Sequence, residues 1–236
     1  MFPRHAWILD RTRVKYGMVL PNGIDTNLFF PDYDVANDKL KLLFVARLVR
    51  GKGVDVVLSL ADKLEGLVET HVVGAGALED EVKRSSNVIY HGIMDDEELA
   101  RLYRESDVFI YPTHNDNFAL VVLQALSSGL YVITSEYVPG GVDSFYTVVK
   151  KAIENRKLID HDKREEYNYV KGNYDWDIIA EKFYGYMRKF YAESNQQNVA
   201  LARQTRREHE QRFYPHRAKL NGRAFQILFG QLENRS

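Results

Sequence analysis

The stretch NVIYHGIMDDEELARLYRESDVFIYPT, residues 87–113, decides the fold. It opens with a short β-type run at 87–92 and closes with an apolar run at 107–113. The residues between them, 95–106, have a helical pattern whose first turn is acidic, as the dipole of a helix favours. The stretch therefore predicts a strand, a helix and a second strand.

The same alternation continues on both sides of this stretch. It predicts further strands at 41–48, 69–76 and 130–136 and further helices at 53–66, 77–86 and 118–129. Strands with continuous apolar runs that are separated by helices indicate a parallel sheet joined by right-handed crossovers. We therefore predict an α/β fold, a Rossmann-like parallel sheet with helices on both faces.

The alternation stops after residue 136. The sequence then predicts helices at 142–159, 162–172 and 175–194, and Asp175 is the expected N-cap of the last one. Residues 195–236 hold eight Lys or Arg against three Asp or Glu, so this stretch carries a charge of +5. We expect a helical C-terminal extension that ends in a basic tail. The tail is either a solvated helix packed at one end or a partner-binding arm.

The whole chain has the composition of an ordinary globular protein, with 236 residues of which 45% are hydrophobic and 28% are charged. A formal net charge of -1 gives no reason to expect a nucleic acid partner. The absence of cysteine excludes disulfides and thiolate metal sites and fits a reducing compartment. No apolar run approaches the roughly 20 residues of a membrane helix, and the first residues lack the apolar block of a signal peptide. We expect a cytoplasmic protein without a transmembrane segment, and a peripheral position at a membrane stays open.

Folds of this class bind ligands beyond the carboxyl ends of their strands, so functional side chains are expected in the loops at that edge. In VARLVRGKG, residues 45–53, Arg47 leaves the first strand and Lys52 follows after a short turn. An Arg fork and a mobile Lys charge can clamp a diphosphate. The alternative is a turn whose two cations are solvated.

Two glycines, Gly74 and Gly76, follow the second strand and would let a ligand approach the backbone. A tight strand-to-helix turn explains them equally well. The loop lacks the third glycine and the downstream acid of a dinucleotide fingerprint, so a nicotinamide cofactor is not expected.

The segment at 114–129 joins a polar loop to an apolar helix. The helix start near Phe118 offers free N–H groups to an anion, and Gln124 lies one turn further in with its amide directed back toward them. Together with Asp116 in the loop, this arrangement suits recognition of the hydroxyls of a sugar or ribose. The alternative is that Asp116 or Asn117 only caps the helix and that Gln124 is a surface residue.

Five ordered motifs resemble the C-terminal, donor-binding domain of family 4 glycosyltransferases with the GT-B fold. They are VLPNGIDTNLFFP (19–31), FVARLVRGKGVDVVL (44–58), VVGAG (72–76), the opening stretch (87–113) and DNFALVVLQALSSGLYVI (116–133). Residues 175–191 resemble the closing helix of that domain. The resemblance divides the chain into an N-terminal remnant or linker (1–16), a Rossmann-like nucleotide-sugar-binding domain (17–194) and a basic helical tail (195–236).

The resemblance also implies a role for each matching residue. Arg47 and Lys52 would hold the donor diphosphate and stabilise the charge of the leaving group, and Asp116 would lie near the transferred sugar. The backbone from Ala119 to Val121 would contact sugar and phosphate, and Gln124 would bind the ribose. The full donor-binding set is Gly74, Gly76, His91, Gly92, Ile93, Asn117, Phe118, Ala119, Leu120, Val121 and Gln124. The resemblance implies no metal, because cationic side chains and a helix end would take its role, and no cofactor, because the nucleotide-diphospho-sugar is the donor substrate.

The chain departs from the family pattern at several positions. Ala46 replaces a glycine, and Asp116 and Gln124 replace a pair of glutamates. As a neutral acceptor, Gln124 should bind a hydroxyl more weakly than a carboxylate does, by about 1–2 kcal/mol. The stretch 136–145 is shorter than the family's glycine-rich and acidic segment, and only about 16 residues precede the donor domain. We therefore expect the family's N-terminal domain to lie on another chain or outside this sequence, or catalysis to have been lost.

Other motifs carry less weight. DYD at 32–34 imitates the metal-binding motif of the other main glycosyltransferase fold, but it lies in a polar loop. The seven histidines form no i, i+4 pair, which makes a zinc site unexpected, and His114 could face the sugar or simply belong to a polar loop. The tyrosine-rich run from Tyr167 to Tyr191 could stack on sugars, although its near-helical spacing is more typical of a core.

The leading hypothesis is hexosyl transfer from a nucleotide-diphospho-sugar to an unidentified glycan or lipid-linked saccharide, with retention, or the donor-binding half of such an enzyme. The alternative is a non-catalytic nucleotide- or sugar-binding subunit that acts with a partner chain. A third hypothesis is an interaction module in which residues 195–236 dock an N-terminal-domain partner or a second copy.

Overall fold

The computed structural model describes residues 18–113, 116, 118–135, 141–159 and 163–213. The chain forms two compact units, Met1–Phe183 and Tyr184–Ser236. The predicted N-terminal remnant at 1–16 lies outside the described residues, as do Asn117, His114 and residues 214–236 of the tail. None of the helices in the described part is long and apolar enough to cross a membrane.

The first unit is built on a five-stranded parallel sheet, as the sequence predicts. Its strand order is β3-β2-β1-β4-β5. The chain adds β2 and β3 on one side of β1 and then adds β4 and β5 on the other side. The strands are β1 (Leu40–Val45), β2 (Val68–Val73), β3 (Ile89–Gly92), β4 (Val108–Tyr111) and β5 (Tyr131–Thr134). This change of side makes β1 and β4 neighbours, so their carboxyl ends lie side by side at the edge where such folds bind ligands.

Helices alternate with these strands and cover the sheet, which confirms the predicted fold class. They are α1 (Val54–Lys63), α2 (Glu79–Arg84), α3 (Asp96–Glu105), α4 (Leu120–Ser127), α5 (Val142–Glu154), α6 (Lys163–Tyr174) and α7 (Trp176–Phe213), with 3-10 turns at Arg50–Lys52 and Arg156–Leu158. The acidic start of α3 is capped by Asp95, whose carboxylate accepts the N–H of Glu98 at 2.8 Å.

The core is centred on β1 and β4. Leu42, Leu43 and Phe44 are completely buried, and so are the neighbouring positions 108–110 of β4. Consecutive side chains of a strand point to opposite faces, so both faces of the sheet are covered here. This explains why the two strands read as continuous apolar runs instead of alternating ones.

The opening segment of the domain is fastened to the junction of α6 and α7. Ile24 donates its N–H to the Tyr174 carbonyl at 2.8 Å and accepts the N–H of Trp176 at 3.2 Å. Asp175 caps α7 as predicted, because its carboxylate accepts the N–H of Asp177 at 2.9 Å. The same carboxylate accepts the hydroxyl of Thr26, which ties the cap to the opening segment.

The C-terminal helices differ in length from the prediction. The helix predicted at 142–159 ends at Glu154, because Asn155 leaves the helical conformation, with φ -141° and ψ 89°, and its side chain accepts the N–H of Lys157. The last helix, predicted at 175–194, runs to Phe213, so the described part of the tail is helical. The core interpretation of the tyrosine-rich run is wrong for Tyr169, Tyr184 and Tyr191, each of which is more than half exposed.

Candidate functional site

Lys52 reaches the carboxyl end of β4 through a tight turn. The residue ends the 3-10 turn Arg50–Lys52, and Gly53 then takes a left-handed conformation with φ 80°. A Cβ atom on Gly53 would lie 2.3 Å from the carbonyl oxygen of Pro112. Only glycine therefore allows the chain to press against the loop after β4, which brings Lys52 beside the residues that follow that strand.

Lys52 and Asp116 form an ion pair at this edge of the sheet. The Nζ atom lies 2.5 Å from Oδ2 of Asp116, and the two side chains are only 17% and 20% exposed. The other carboxylate oxygen accepts the N–H of Phe118 at 3.1 Å. The predicted cation and the predicted carboxylate thus meet directly, next to the residue that leads into α4.

A tyrosine completes this group. The Tyr111 hydroxyl donates to Oδ2 of Asp116 at 2.6 Å, and Lys52 Nζ lies 3.4 Å from the same hydroxyl. We call Lys52, Tyr111 and Asp116 the edge triad. Sequence analysis missed Tyr111, because a tyrosine that ends an apolar strand is indistinguishable from a core residue without coordinates.

The contacts of the edge triad fix the protonation of Asp116 and Tyr111. Burial alone would raise the pKa of Asp116, but hydrogen bonds from Lys52 and Tyr111 and the positive charge of Lys52 lower that pKa below its usual value. Burial and the Asp116 carboxylate raise the pKa of the Tyr111 phenol far above its usual value. At neutral pH, Asp116 is therefore an anion and Tyr111 is a hydrogen-bond donor.

Arg47 leaves β1 at the same edge. Its side chain is exposed, and its positive charge acts on Tyr111 in the direction of a lower pKa. Arg47 therefore adds positive potential next to the edge triad while keeping its guanidinium accessible to a ligand.

The start of α4 lies next to Asp116. Its N-cap residue is Ala119, which provides no side chain to cap the first N–H groups, and Asp116 bonds to Phe118 ahead of the helix. The alternative in which Asp116 caps the helix is therefore not what the structure shows. The first turn, with Leu120 and Val121, offers backbone donors of the kind that bind anions at helix starts.

Gln124 is half-buried one turn into α4, and its side-chain oxygen lies 3.4 Å from the hydroxyl of Tyr103. Tyr103 is fully buried and also contacts the carbonyl of Val121 at 3.2 Å. Burial raises the pKa of Tyr103 well above its usual value, so its hydroxyl stays a donor. Gln124 is therefore held against a core tyrosine and is not a freely solvated surface residue. Tyr103 was also missed in the sequence, for the same reason as Tyr111.

Gly74 and Gly76 have a clear packing role. A Cβ atom on Gly74 would lie 1.9 Å from the carbonyl oxygen of Ala46, and one on Gly76 would lie 2.6 Å from that of Leu48. The loop after β2 therefore packs directly on the loop after β1. This explains both glycines without a ligand, and their contact with a donor stays a prediction.

A concavity of about 450 Å³ lies at the β3 side of the same edge of the sheet. It is lined by His91, Gly92 and Ile93, which belong to the predicted donor-binding set, and by Ala75, Glu79, Lys83 and Tyr90. Tyr90 donates its hydroxyl to the carbonyl of Gly74 at 2.9 Å, and the N–H of Gly74 donates to Gly92 at 2.7 Å. The two predicted loops, at 74–76 and 91–93, are therefore joined.

His91 is paired with His71 on the neighbouring strand. Nε2 of His91 lies 2.9 Å from Nδ1 of His71, with the two rings nearly parallel at 13°. Burial lowers the pKa of both rings, and the pKa of His71 is lowered further by His91. Spacing along the chain could not reveal this pair, because it forms across two strands. Among the described residues, no group of three or more His, Asp or Glu side chains is arranged to hold a metal ion.

Comparisons with known proteins agree with this architecture. Residues 25–162 match the family described as "Glycosyl transferases group 1". The uncharacterised glycosyltransferase MJ1607 of Methanocaldococcus jannaschii is 25% identical, over 73% of this chain and 53% of its own length. The chain therefore spans about half of that relative.

Two solved structures share the fold. The protein HepE of Anabaena, in complex with UDP-glucose, matches with a TM-score of 0.64 at 16% identity, over 78% of this chain and 60% of its own. The C-terminal domain of the group 1 glycosyl transferase LpcC of Francisella tularensis matches with a TM-score of 0.52 at 18% identity, over 65% of this chain and 100% of its own. At this level of identity the two matches establish the architecture.

Proposed function

The chain belongs to the group 1 glycosyl transferases, and from this membership we propose that it binds a nucleotide-diphospho-sugar and transfers the hexosyl group to an acceptor. The observation that carries the proposal is the ion pair between Lys52 and Asp116, whose other carboxylate oxygen accepts the N–H of Phe118 just ahead of the start of α4. We propose a glycan or a lipid-linked saccharide as the acceptor and retention as the stereochemical outcome.

The proposed chemistry depends on stabilising a departing nucleoside diphosphate. When the bond from the sugar to the β-phosphate breaks, its electron pair stays with the phosphate oxygen and negative charge grows there. An ammonium, a guanidinium and the N–H groups of Leu120 and Val121 can offset this charge without a metal ion. Their arrangement before the reaction is what makes them effective, because little reorganisation is needed during it.

The rest of the donor can be accommodated along the same edge. We propose that Asp116 accepts a hydrogen bond from a hydroxyl of the transferred sugar and that Gln124 binds the ribose. The base would occupy the concavity lined by His91, Gly92 and Ile93, which is large enough for a planar ring. HepE was solved with UDP-glucose, so uridine donors are the first ones to test.

A second candidate function is a non-catalytic nucleotide- or sugar-binding subunit that acts with a partner chain. Two observations favour it: an amide at Gln124 in place of an acid, and a lysine that is already paired with Asp116. In this alternative the donor binds but its glycosidic bond is not broken.

A thermal-shift panel of UDP-, GDP- and ADP-sugars tests the binding step. A ligand at 100 times its Kd should stabilise the folded protein by about 2.7 kcal/mol, whereas the free monosaccharide serves as the control and should not. No stabilisation by any nucleotide sugar would contradict the proposed transferase and a nucleotide-binding subunit alike. Hydrolysis or transfer by the purified chain would then separate them, because a non-catalytic subunit releases no nucleoside diphosphate.

A further inference from the structure

Tyr111 is the last residue of β4, and its ring is 3% exposed. The ring is stacked on Phe109, with 5.9 Å between centroids and 21° between planes. A phenylalanine could make the same packing contacts. The hydroxyl is therefore the part of the side chain that packing does not explain, and it is directed at Asp116.

We propose that Tyr111 is a positioning residue that holds the Asp116 carboxylate in place while Lys52 passes from Asp116 to the donor diphosphate. The inference rests on the proposed function, since it concerns the order of contacts in the donor site. In this proposal, the ion pair between Lys52 and Asp116 belongs to the donor-free protein, and donor binding breaks it.

The geometry gives the reason for an exchange. Lys52 and Tyr111 both contact the same carboxylate oxygen, Oδ2 of Asp116, at 2.5 Å and 2.6 Å. A diphosphate is a denser anion than a carboxylate and competes for the three donors of the lysine. As the ammonium turns to the phosphates, Asp116 loses its charged partner at a position that is only 20% exposed.

A buried carboxylate without a partner tends to take up a proton. Asp116 keeps two donors after the exchange, the Tyr111 hydroxyl and the N–H of Phe118. These two bonds keep it ionised and oriented, so that it can accept a hydrogen bond from a sugar hydroxyl. The raised pKa of Tyr111 supports this role, because the phenol remains a donor at neutral pH.

The test uses Tyr111→Phe, which keeps the ring stacked on Phe109 and removes only the hydroxyl. Tyr167→Phe is the matched control, because it removes a hydroxyl that bonds to the Thr26 carbonyl, away from the edge triad. The pKa of Asp116 is measured by carboxyl NMR titration in the ligand-free protein. Affinity is measured for the best-binding nucleotide sugar of the UDP-, GDP- and ADP-sugar panel and for the matching nucleoside diphosphate.

We expect the pKa of Asp116 to rise in Tyr111→Phe and to stay unchanged in Tyr167→Phe. Affinity for the nucleotide sugar should fall about tenfold, the effect of losing one hydrogen bond to a charged group. Affinity for the nucleoside diphosphate should fall less than affinity for the nucleotide sugar, because the diphosphate takes Lys52 from Asp116 but makes no hydrogen bond to Asp116 itself. An unchanged titration, or an equal loss for both ligands, would overturn the inference.

Different results would contradict the proposed function and the role of Tyr111. Wild-type protein that binds no nucleotide sugar would contradict the proposed function and the exchange, whatever the titration shows. Wild-type protein that binds normally, with an Asp116 titration insensitive to Tyr111→Phe, would contradict the inference alone. If Tyr111→Phe does not fold, the Tyr111 hydroxyl proton of the wild type is observed by NMR instead. A signal that Asp116→Asn leaves unshifted would then overturn the inference.

Discussion

Two buried tyrosine hydroxyls face the polar side chains of the candidate site. Tyr111 bonds to Asp116, and Tyr103 lies within hydrogen-bonding distance of Gln124. Both phenols have a pKa raised by burial, so each acts as a fixed donor. Asp116 and Gln124 are the positions where the sequence departs from the family's glutamate pair, and each has a tyrosine behind it.

Replacing Gln124 with glutamate, the residue of the family pattern, tests whether this position binds the ribose. Gln124→Glu should raise affinity for the nucleoside diphosphate about tenfold, because an ionised acceptor binds a ribose hydroxyl more strongly than a neutral one, by about 1–2 kcal/mol. Calorimetry with the nucleoside diphosphate and with its 2′,3′-dideoxy form measures the gain. An equal gain for the dideoxy ligand would mean that Gln124 does not face the ribose.

The His71–His91 pair should make stability depend on pH. Burial lowers the pKa of both rings below the ordinary 6.5, so the folded state disfavours their protonation. The contribution to stability is therefore fully present above pH 6.5 and is lost as the pH falls toward the folded pKa. Lys41 acts on His71 in the same direction as burial, and Glu69 opposes it.

Urea unfolding at a series of pH values from 8 to about 5.5 measures this dependence. The wild type should lose stability across the range, and His71→Leu should show a smaller loss relative to its own value at pH 8. A slope that is identical in the two proteins would show that the histidine pair does not contribute.

At the scale of elements, the turn that carries Lys52 depends on Gly53. Gly53→Ala should destabilise the protein by about 2–3 kcal/mol, because the residue has φ 80° and its Cβ would collide with the Pro112 carbonyl. Gly51→Ala is the matched control two residues earlier in the same turn, where an added Cβ meets no atom within 4 Å, and it should change stability by less than about 0.5 kcal/mol. Chemical denaturation compares the two. Equal effects would mean that the close approach of the two loops is not required.

The strands of the sheet and the helices that cover it were predictable, because burial leaves a clear pattern of apolar residues in the sequence. Both faces of β1 and β4 are covered, so their residues form uninterrupted apolar runs. The ends of elements were harder to predict. The strand predicted to reach residue 48 ends at Val45, because Leu48 bonds to the carbonyl of Ala75 and not to a strand. The length of α7 was underestimated, because its polar half lacks the apolar periodicity on which the prediction relied.

Part of the candidate site was predictable from the order of strands in the sheet. Lys52 and Asp116 follow strands β1 and β4, and the carboxyl ends of neighbouring parallel strands meet at one edge. The topology therefore brings the two residues together. The hydroxyls of Tyr111 and Tyr103 and the His71–His91 pair could not be predicted, because they depend on side-chain directions across strands that are not adjacent in sequence.

For the whole molecule, the first compact unit contains every described residue of the candidate site. Deleting residues 195–236 should therefore leave binding of the nucleoside diphosphate within about twofold of the wild type. If the third hypothesis holds and the tail docks a partner chain or a second copy, the truncated chain should also become monomeric or lose that partner in light-scattering measurements. Unchanged assembly after truncation would contradict the docking role.

The most direct test of the account compares binding of a nucleoside diphosphate and its nucleoside to the wild type, Arg47→Ala and Lys52→Ala by calorimetry. Lys63→Ala is the control, since Lys63 pairs with Asp143 on the exposed surface. We predict that both site variants lose about 10- to 100-fold in affinity for the diphosphate, because each removes a charged contact to phosphate, and less than about twofold for the nucleoside. Equal losses for both ligands, or no loss for either, would contradict the claim that Arg47 and Lys52 form the diphosphate site.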